Sequence, residues 1–384
     1  MIKTLYGKDK KGGIKIWTIE VVDQAPQAKI KISHGKVGGK MTERVEYITE
    51  GKQGRSAYEQ AVLEANARIK KQEDKNYCEN KTDLENLNIL AMLAADYRKQ
   101  GHRVVYPCYG SVKYDGVRAL AKKRDGIVTI ESRTSQLWDV PHLASLLTIH
   151  MQDGDIWDGE IYVHGEELQD IVSAVKRTDT QKEIDKARRK YSKVVSDDNY
   201  AAIVEAEHIH ELRPKLQFHI FDVVTDKPFS ERVKELDSLC SIPVVSPHIQ
   251  ITEYFYIASE ADMKVKHKVA VGLGYEGIML RNFIGLYESG KRSADLQKYK
   301  EFLDSEFLIL DVEPNKDDGS AFRVRNDLNE RTFTVTLGSM AQRAEYLENK
   351  ELYISKGITV SYQTRYKRTL LPQFPTGVVI RDYE

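Results

Sequence analysis

The chain has 384 residues, 41% of them hydrophobic and 30% charged, and its 58 Lys+Arg and 58 Asp+Glu give a formal net charge of zero at pH 7. That length is too great for one small core and predicts two or three domains, while the neutral balance excludes a histone-like polycation and leaves any nucleic-acid contact to local basic faces. Cys78, Cys108 and Cys240 are dispersed and odd in number, which excludes a disulfide framework or zinc knuckle and suits a reducing, cytoplasmic setting; no apolar run of membrane-spanning length and no secretory core segment is present, so no membrane partner is expected.

Residues 1–80 read as strands followed by one helix. Ile14 to Val21 and Ala28 to Ile32 alternate apolar and polar, Glu43 to Ile48 offers a third strand, and Ser56 is placed to cap a helix running towards Lys71. The turn Gly35 to Lys40 invites a phosphate-loop reading, but His34 stands where the first glycine belongs and Met41 replaces the serine or threonine, so we reject it. The polar stretch Gln72 to Asn86 reads as an interdomain linker. A second domain, residues 81–302, then mixes short strands and helices, including two charged helical segments, Thr180 to Val195 and Tyr200 to Leu212, whose charge suits a solvated face.

Within it, Lys113-Tyr114-Asp115-Gly116-Val117-Arg118 places an amine, a carboxylate, a hinge and a guanidinium in one short turn. A lysine that attacks the α-phosphate of a nucleotide must do so as the neutral amine, which neighbouring cations and partial burial favour. Arg118 and a metal ion can stabilise the pentavalent phosphorus, and Gly116 is expected to let the backbone turn sharply so that both side chains reach one phosphate. The same composition also suits a surface hairpin, and roughly one chain in a few hundred carries such a match by chance, so the residues that follow must decide.

Glu131-Ser132-Arg133-Thr134 ends a predicted strand and alone is an ordinary turn. In Ile156 to Tyr162, Glu160 begins a strand, where its carboxylate can hold a ribose hydroxyl or a metal, although Asp158-Gly159-Glu160 equally suits a hairpin turn. Phe218 to Val224 has the pattern of a buried strand, in which Phe221 is a core residue or a base-stacking platform. Glu276, at the edge of the next strand, suits magnesium. Lys298 and Lys300 share a strand face by the period of two and can clamp triphosphate oxygens or face solvent. From residue 303 to 384, Phe307–Val312, Ala321–Val324, Thr332–Leu337, Ile358–Tyr362 and Gly377–Ile380 read as five short strands, with a helical segment between the third and fourth, as in a small oligonucleotide-binding (OB) barrel.

Taken in order, KYDGVR, ESRT, DGEIY, FHIFD, EGIML and LQKYK match motifs I, Ia, III, IIIa, IV and V of the covalent nucleotidyltransferases, and residues 88–384 most closely resemble the ATP-dependent DNA ligases, in their small viral or bacteriophage-like form. The resemblance implies an α+β multidomain fold: an ATP-grasp-like nucleotidyltransferase domain of antiparallel sheets with helices, followed by an OB-fold barrel. It implies Lys113 as the adenylated nucleophile, with Ser111 and Val112 reading adenine through the backbone and Arg118 near the ribose and the 5′-phosphate of a nick. Arg133 would meet the terminal 5′-phosphate, Glu160 the ribose and a metal, Phe221 the adenine face, Glu276 a divalent metal, and Lys298 and Lys300 the α-phosphate. ATP and Mg2+ (or Mn2+) are the implied cofactors and nicked duplex DNA the partner, with the chain acting as a monomer. Motif VI, which orients pyrophosphate, matches less well: the chain ends Val379-Ile380-Arg381-Asp382-Tyr383-Glu384 without the usual lysine, leaving Arg381 as the candidate and Lys367 or Arg368 to supply the missing charge. Lys176, Arg177, Arg323, Arg325 and Arg365 to Arg368 are candidate phosphate contacts. Residues 1–80 resemble a WGR domain, with Trp17 in a strand and His34-Gly35-Lys36 in place of the namesake tripeptide, which implies a role in holding duplex DNA. An mRNA-capping guanylyltransferase, which shares the hexapeptide and the barrel, stands as an alternative, as do an RNA ligase, although such enzymes more often carry serine or threonine after the motif's glycine and lack this barrel, and a DNA-end-binding scaffold whose site has decayed.

Overall fold

The computed structural model describes residues 1–9, 12–85, 88–240, 246–315 and 319–381. Three strand-bearing units follow one another along the chain. In the first, β1 (Ile2–Lys8), β2 (Ile14–Gln24), β3 (Gln27–Lys36) and β4 (Met41–Ile48) form an antiparallel sheet in sequence order. Leu5, Trp17, Ile19 and Ile30 are buried from one face of it, and the helix Ala57–Glu73 lays Ala61 and Ala65 against them, small side chains that let helix and sheet approach closely. Ser56 caps this helix as expected, accepting from the Glu59 amide while Glu59 accepts from the Ser56 amide at 2.8 Å. The rejected phosphate loop is the hairpin turn between β3 and β4. β1 was not predicted: its sequence alternates weakly, and its extended form is fixed by pairing with β2.

The segment expected as a linker is instead largely structured. The helix continues to Glu73, Cys78 bridges Tyr6 of β1 through backbone hydrogen bonds, and a 3-10 turn covers Lys81–Glu85. Asn86 and Leu87 lie outside the described residues.

The second unit contains β5 (Leu93–Asp96), β6 (Cys108–Lys113), β7 (Val117–Arg124), β8 (Ile127–Ser132), β9 (Ile156–Tyr162), β10 (Gln217–Val223), β11 (Ile249–Ile251), β12 (Phe255–Ile257), β13 (Gly277–Arg281) and β14 (Arg292–Tyr299). They form two sheets, ordered β11-β10-β9-β7-β8 and β12-β6-β13-β14-β5. The sheets are not purely antiparallel as expected, because β10 with β11 and β14 with β5 run parallel. Both pairs are joined by long connections, the first through helix Phe229–Cys240, and such crossovers permit parallel pairing where a hairpin cannot. Leu143, Leu147, Ile171, Phe218 and Leu236 are fully buried in the core behind the first sheet. The charged segments form helices Thr180–Lys193 and Asp197–Leu212, the second capped by Ser196.

The third unit holds β15 (Leu303–Pro314), β16 (Ser320–Arg325), β17 (Thr332–Val335), β18 (Gly357–Tyr362) and β19 (Thr376–Arg381), in one sheet ordered β17-β16-β15-β18-β19 around Phe307, Phe322, Val324 and Val360. All five expected strands are present, and helix Met340–Glu348 lies between the third and fourth. Among the described residues no strand ladder joins the edge strands β17 and β19 into a closed barrel, although the Gly377 amide of β19 donates to the carbonyl of Thr336, directly after β17, at 2.9 Å. Asp382, Tyr383 and Glu384 lie outside the described residues, as does the side chain of Cys240, while Cys78 and Cys108 are free thiols. No helix among the described residues is long and apolar enough to cross a membrane.

Candidate active site

A cleft of about 250 Å³ opens between the two sheets of the middle unit. β6 delivers Ser111, Val112 and Lys113 to it, β7 contributes Arg118, β9 Glu160, β10 Phe221 and β14 Lys298, and Arg133 lies at its wall just beyond β8. Thus eight of the eleven residues singled out from sequence line one cavity. Glu160 lies within its strand, not at its start, and Asp158-Gly159-Glu160 is strand and not a hairpin turn. The glycine there is obligatory for packing, because a Cβ on Gly159 would come within 2.6 Å of the His219 carbonyl oxygen. Gly116 is needed for the same kind of reason. A Cβ there would stand 2.5 Å from the Ile161 carbonyl oxygen and 2.8 Å from Glu160 Cγ, so close approach requires the glycine at the point where the chain bends, as expected, between β6 and β7.

Glu276 precedes β13 and is tied to the end of β6 by its amide, which donates to the Lys113 carbonyl at 3.0 Å. Its carboxylate accepts from Lys113 Nζ on Oε2 and from Lys300 Nζ on Oε1, the latter at 2.6 Å. Lys300 lies one residue past β14, so the shared strand face predicted for the two lysines is realised only at its end. Burial would raise the Glu276 carboxyl, but Lys113 and Lys300 outweigh it and hold the group below the ordinary range. Lys298 is shifted down, first by burial and then by the like charges of Lys300 and Lys113. Burial pushes Glu160 up to about 7, opposed by Arg118 and Lys113, and raises Asp115 as well, with Glu276 adding to it.

Arg118 is held on three sides. Its Nε and Nη2 each donate to a different oxygen of Asp158 at 2.6 Å, Nη2 also reaches the Met92 carbonyl at 3.3 Å, and its guanidinium lies over the Phe221 ring at 4.3 Å. Asp158 is fully buried and also accepts from the Tyr287 hydroxyl at 2.6 Å. Phe221 is therefore both a nearly buried residue and a wall of the cleft, with a cation on its ring.

Arg381 is the predicted residue that the structure leaves apart. It ends β19, where Nε donates to Thr359 Oγ1 at 2.8 Å and pairs with Glu306 at 3.3 Å. Several candidate phosphate contacts are likewise engaged within the chain: Arg323 with Asp311 and Glu313, Arg365 with Asp327, and Arg177 and Arg368 with Glu205. Sequence reasoning missed Arg292 in the cleft wall, the Asp158 and Tyr287 support of Arg118, and Gln363, which follows β18 and meets Lys300. Asp158 was visible beside Glu160 as an acid on the strand; the others carry no local signal.

Residues 89–300, which contain the cleft, match the family model described as the ATP dependent DNA ligase domain. The chain belongs to that family. It is 26% identical over 295 residues to a DNA ligase of African swine fever virus, an alignment covering 70% of this chain and 62% of the viral one. With a DNA ligase of Methanothrix thermoacetophila it shares 27% identity over 210 residues, covering 52% of this chain and 33% of the archaeal one. The chain therefore spans less than two thirds of the length of these relatives. A solved structure from a study of Lig E DNA ligases, described as DNA binding with a minimal scaffold, has the same fold over 76% of this chain and 99% of its own, with a TM-score of 0.57 at 20% identity. The ligase domain thus accounts for the cleft and leaves residues 1–88 outside the family match.

Proposed function

We propose that this chain seals nicks in duplex DNA with ATP, through a lysyl-adenylate and a DNA-adenylate. The observation that carries the reading is the seat of Lys113: a primary amine at the end of β6, aimed by Glu276, in a cleft that also holds Lys298, Arg118, Glu160 and Phe221. Lys113 Nζ would attack the α-phosphorus of ATP, forming a P–N bond as the bond to pyrophosphate breaks. The adenylate then passes to the 5′-phosphate at a nick, and the 3′-hydroxyl displaces AMP. Each step is an in-line displacement that depends on position and charge neutralisation. Lys298 and Lys300 would neutralise the α-phosphate, Phe221 would stack on adenine once Arg118 yields its ring face, and the backbone at Ser111 and Val112 would read the base. Glu160 would hold the ribose, Arg118 the ribose and the nick phosphate, and Arg133 the terminal 5′-phosphate.

Asp115, Glu160 and Glu276 offer hard carboxylate oxygens of the kind that suits Mg2+ or Mn2+, without converging as a three-ligand group among the described residues. Burial keeps two of them raised, a cost that a divalent cation would relieve, and Glu160 and Glu276 are the ligands we assign. When bound, the ion would supply charge neutralisation on the phosphate oxygens. Arg381 orienting pyrophosphate requires β19 and its neighbours to approach the cleft, and the third unit acting as a closing OB domain, with 1–80, 81–302 and 303–384 as domains, belongs to the same proposal. So do the WGR-like reading of residues 1–80 and action as a monomer in the cytoplasm; the WGR reading rests only on the Trp17 strand and the His34-Gly35-Lys36 turn.

Intact mass after incubation with ATP and Mg2+ tests the first step. The expected result is one AMP adduct, absent in Lys113→Ala, and sealing of a 5′-phosphorylated nick by the parent chain. An undiminished adduct in Lys113→Ala would remove the mechanism.

A further inference from the structure

A basic concavity lies outside the ligase domain. A groove of about 670 Å³ in the first unit is lined by five lysines, Lys8, Lys15, Lys36, Lys40 and Lys75, with Trp17 and Tyr77 in its floor and wall and no aspartate or glutamate among its lining residues. In a chain whose charges cancel overall, such a concentration of one sign is a local field and not a by-product of composition. Lys36 is paired with Asp9 at 2.7 Å, but Lys15, Lys40 and Lys75 enter no ion pair among the described residues, and Lys40 and Lys75 are exposed. Lys15 on β2, Lys40 in the turn before β4 and Lys75 after the helix end, with no ion-pair partner among the described residues, are poised for an external polyanion.

The position of the groove says which one. Lys75 follows Asp74, and Asp74 Oδ1 accepts from Gln136 Nε2 at 3.0 Å. Gln136 belongs to the short loop that carries Arg133 into the wall of the catalytic cleft, and this loop is folded on itself through the Ser132 hydroxyl, which accepts from the Gln136 amide at 3.0 Å. A second tie joins the same stretch to the middle unit, from Asn76 Nδ2 to the Asn88 carbonyl at 2.7 Å. The lysine groove is thus docked beside the Arg133 side of the cleft mouth, where a duplex leaving that cleft would pass.

We propose that this groove is a backbone clamp for the duplex arm on the 5′-phosphate side of the nick, with Lys15, Lys40 and Lys75 contacting phosphates. The inference rests on the DNA-joining reading of the cleft and on Arg133 facing the 5′-phosphate. Contacts of this kind carry no base sequence and suit a sealer that must accept any nick. They also impose a salt dependence of about 0.9 per phosphate in the logarithm of affinity against that of salt.

The test is binding of a nicked duplex by the full chain and by Lys15→Gln/Lys40→Gln/Lys75→Gln across a salt series, with self-adenylation by ATP measured on both. The variant is expected to self-adenylate like the parent, to bind the nick at least about tenfold more weakly at low salt, and to show a salt slope shallower by about 2 to 3. Shortening the arm on the 5′-phosphate side of the nick should abolish the difference between the two proteins, whereas shortening the other arm should preserve it. Equal affinity and slope would overturn the clamp, and dependence on the 3′-hydroxyl arm would overturn its placement. A parent that neither self-adenylates nor seals would instead remove the ligase reading itself. If the triple variant fails to self-adenylate, the single Lys40→Gln and Lys75→Gln variants carry the same measurement, with a slope change of about 0.9 each.

Discussion

Asp222 is the side chain whose loss should cost this fold most. It is fully buried next to Phe221, and its two oxygens accept from Arg232 at 2.8 and 3.1 Å and from Arg281 at 2.6 Å, both arginines being almost inaccessible to water. Arg281 in turn lies within 5.7 Å of the Phe221 ring centroid, so the acid also fixes the back of the cleft. Asp222→Ala would leave two buried guanidinium groups without their counter-charge, and breaking such a pair costs about 3–5 kcal/mol. Urea unfolding should show that loss, and an alanine variant as stable as the parent would mean that the arginines do not depend on Asp222. His219, three residues earlier on the same strand and with its ring 4.6 Å from that of Tyr114, is expected to set part of the acid sensitivity. Burial, with His164 adding to it, pushes its imidazole from 6.5 down to about 4. The unfolded chain therefore binds more protons than the native one between those values. The contribution of His219 is complete above pH 6.5 and is lost as pH falls towards 4; half-buried His142 and buried His267 are shifted the same way. An NMR titration of His219 should find its midpoint near 4, and a midpoint at 6.5 would refute the assignment. These side chains also mark the limit of what sequence reveals. Lys113, Glu160 and Lys298 announce themselves by chemical type and order, whereas Tyr287 reaches Asp158 across 129 residues and no local pattern encodes that meeting.

The elements were legible in proportion to how far local rules decide them. Helix Ala57–Glu73 has its start written in Ser56 and Glu59, a reciprocal cap whose two halves are both present. Ser56→Ala should lower stability by about 1 kcal/mol, seen in thermal or urea unfolding of the first unit, while self-adenylation at Lys113 stays at the parent rate. A simultaneous loss of adduct formation would mean that the first unit and the cleft fold as one. β1 and the parallel partners β5 and β11 were harder to read, since β1 is extended because β2 accepts it, and β5 meets β14 only after the chain has traversed the whole middle unit. In the sheet around Phe307 the strands could be read from alternation, but their spatial order, with β15 in the centre between β16 and β18, is a property of pairing that alternation does not contain.

Polar contacts that a change of charge can release tie the third unit to the middle one. After β18 the chain sends Lys367 and Arg368 onto the middle unit: the Lys367 amide donates to Glu167 at 2.6 Å, its Nζ reaches the Gly165 carbonyl at 2.7 Å, and Arg368 pairs with Asp170 at 3.1 Å and Glu205 at 3.4 Å. Gln363 and Phe374 of the same unit stand beside Lys300, so this arrangement covers one flank of the cleft. Arg368 is about half exposed, and exposed pairs of this kind contribute only about 0–1 kcal/mol each. A contact that weak holds the third unit in place without making its release costly, which is compatible with the closing role proposed for this unit. Lys367→Glu/Arg368→Glu reverses both charges against the acidic patch of Glu167, Asp170 and Glu205. Small-angle scattering of the ATP-free variant should give a larger radius of gyration than the parent, and raising salt should expand the parent while leaving the variant nearly unchanged, because screening removes in the first what substitution has already removed in the second. An unchanged radius in the variant would mean that the apolar neighbours of this loop, and not its charges, hold the third unit over the cleft.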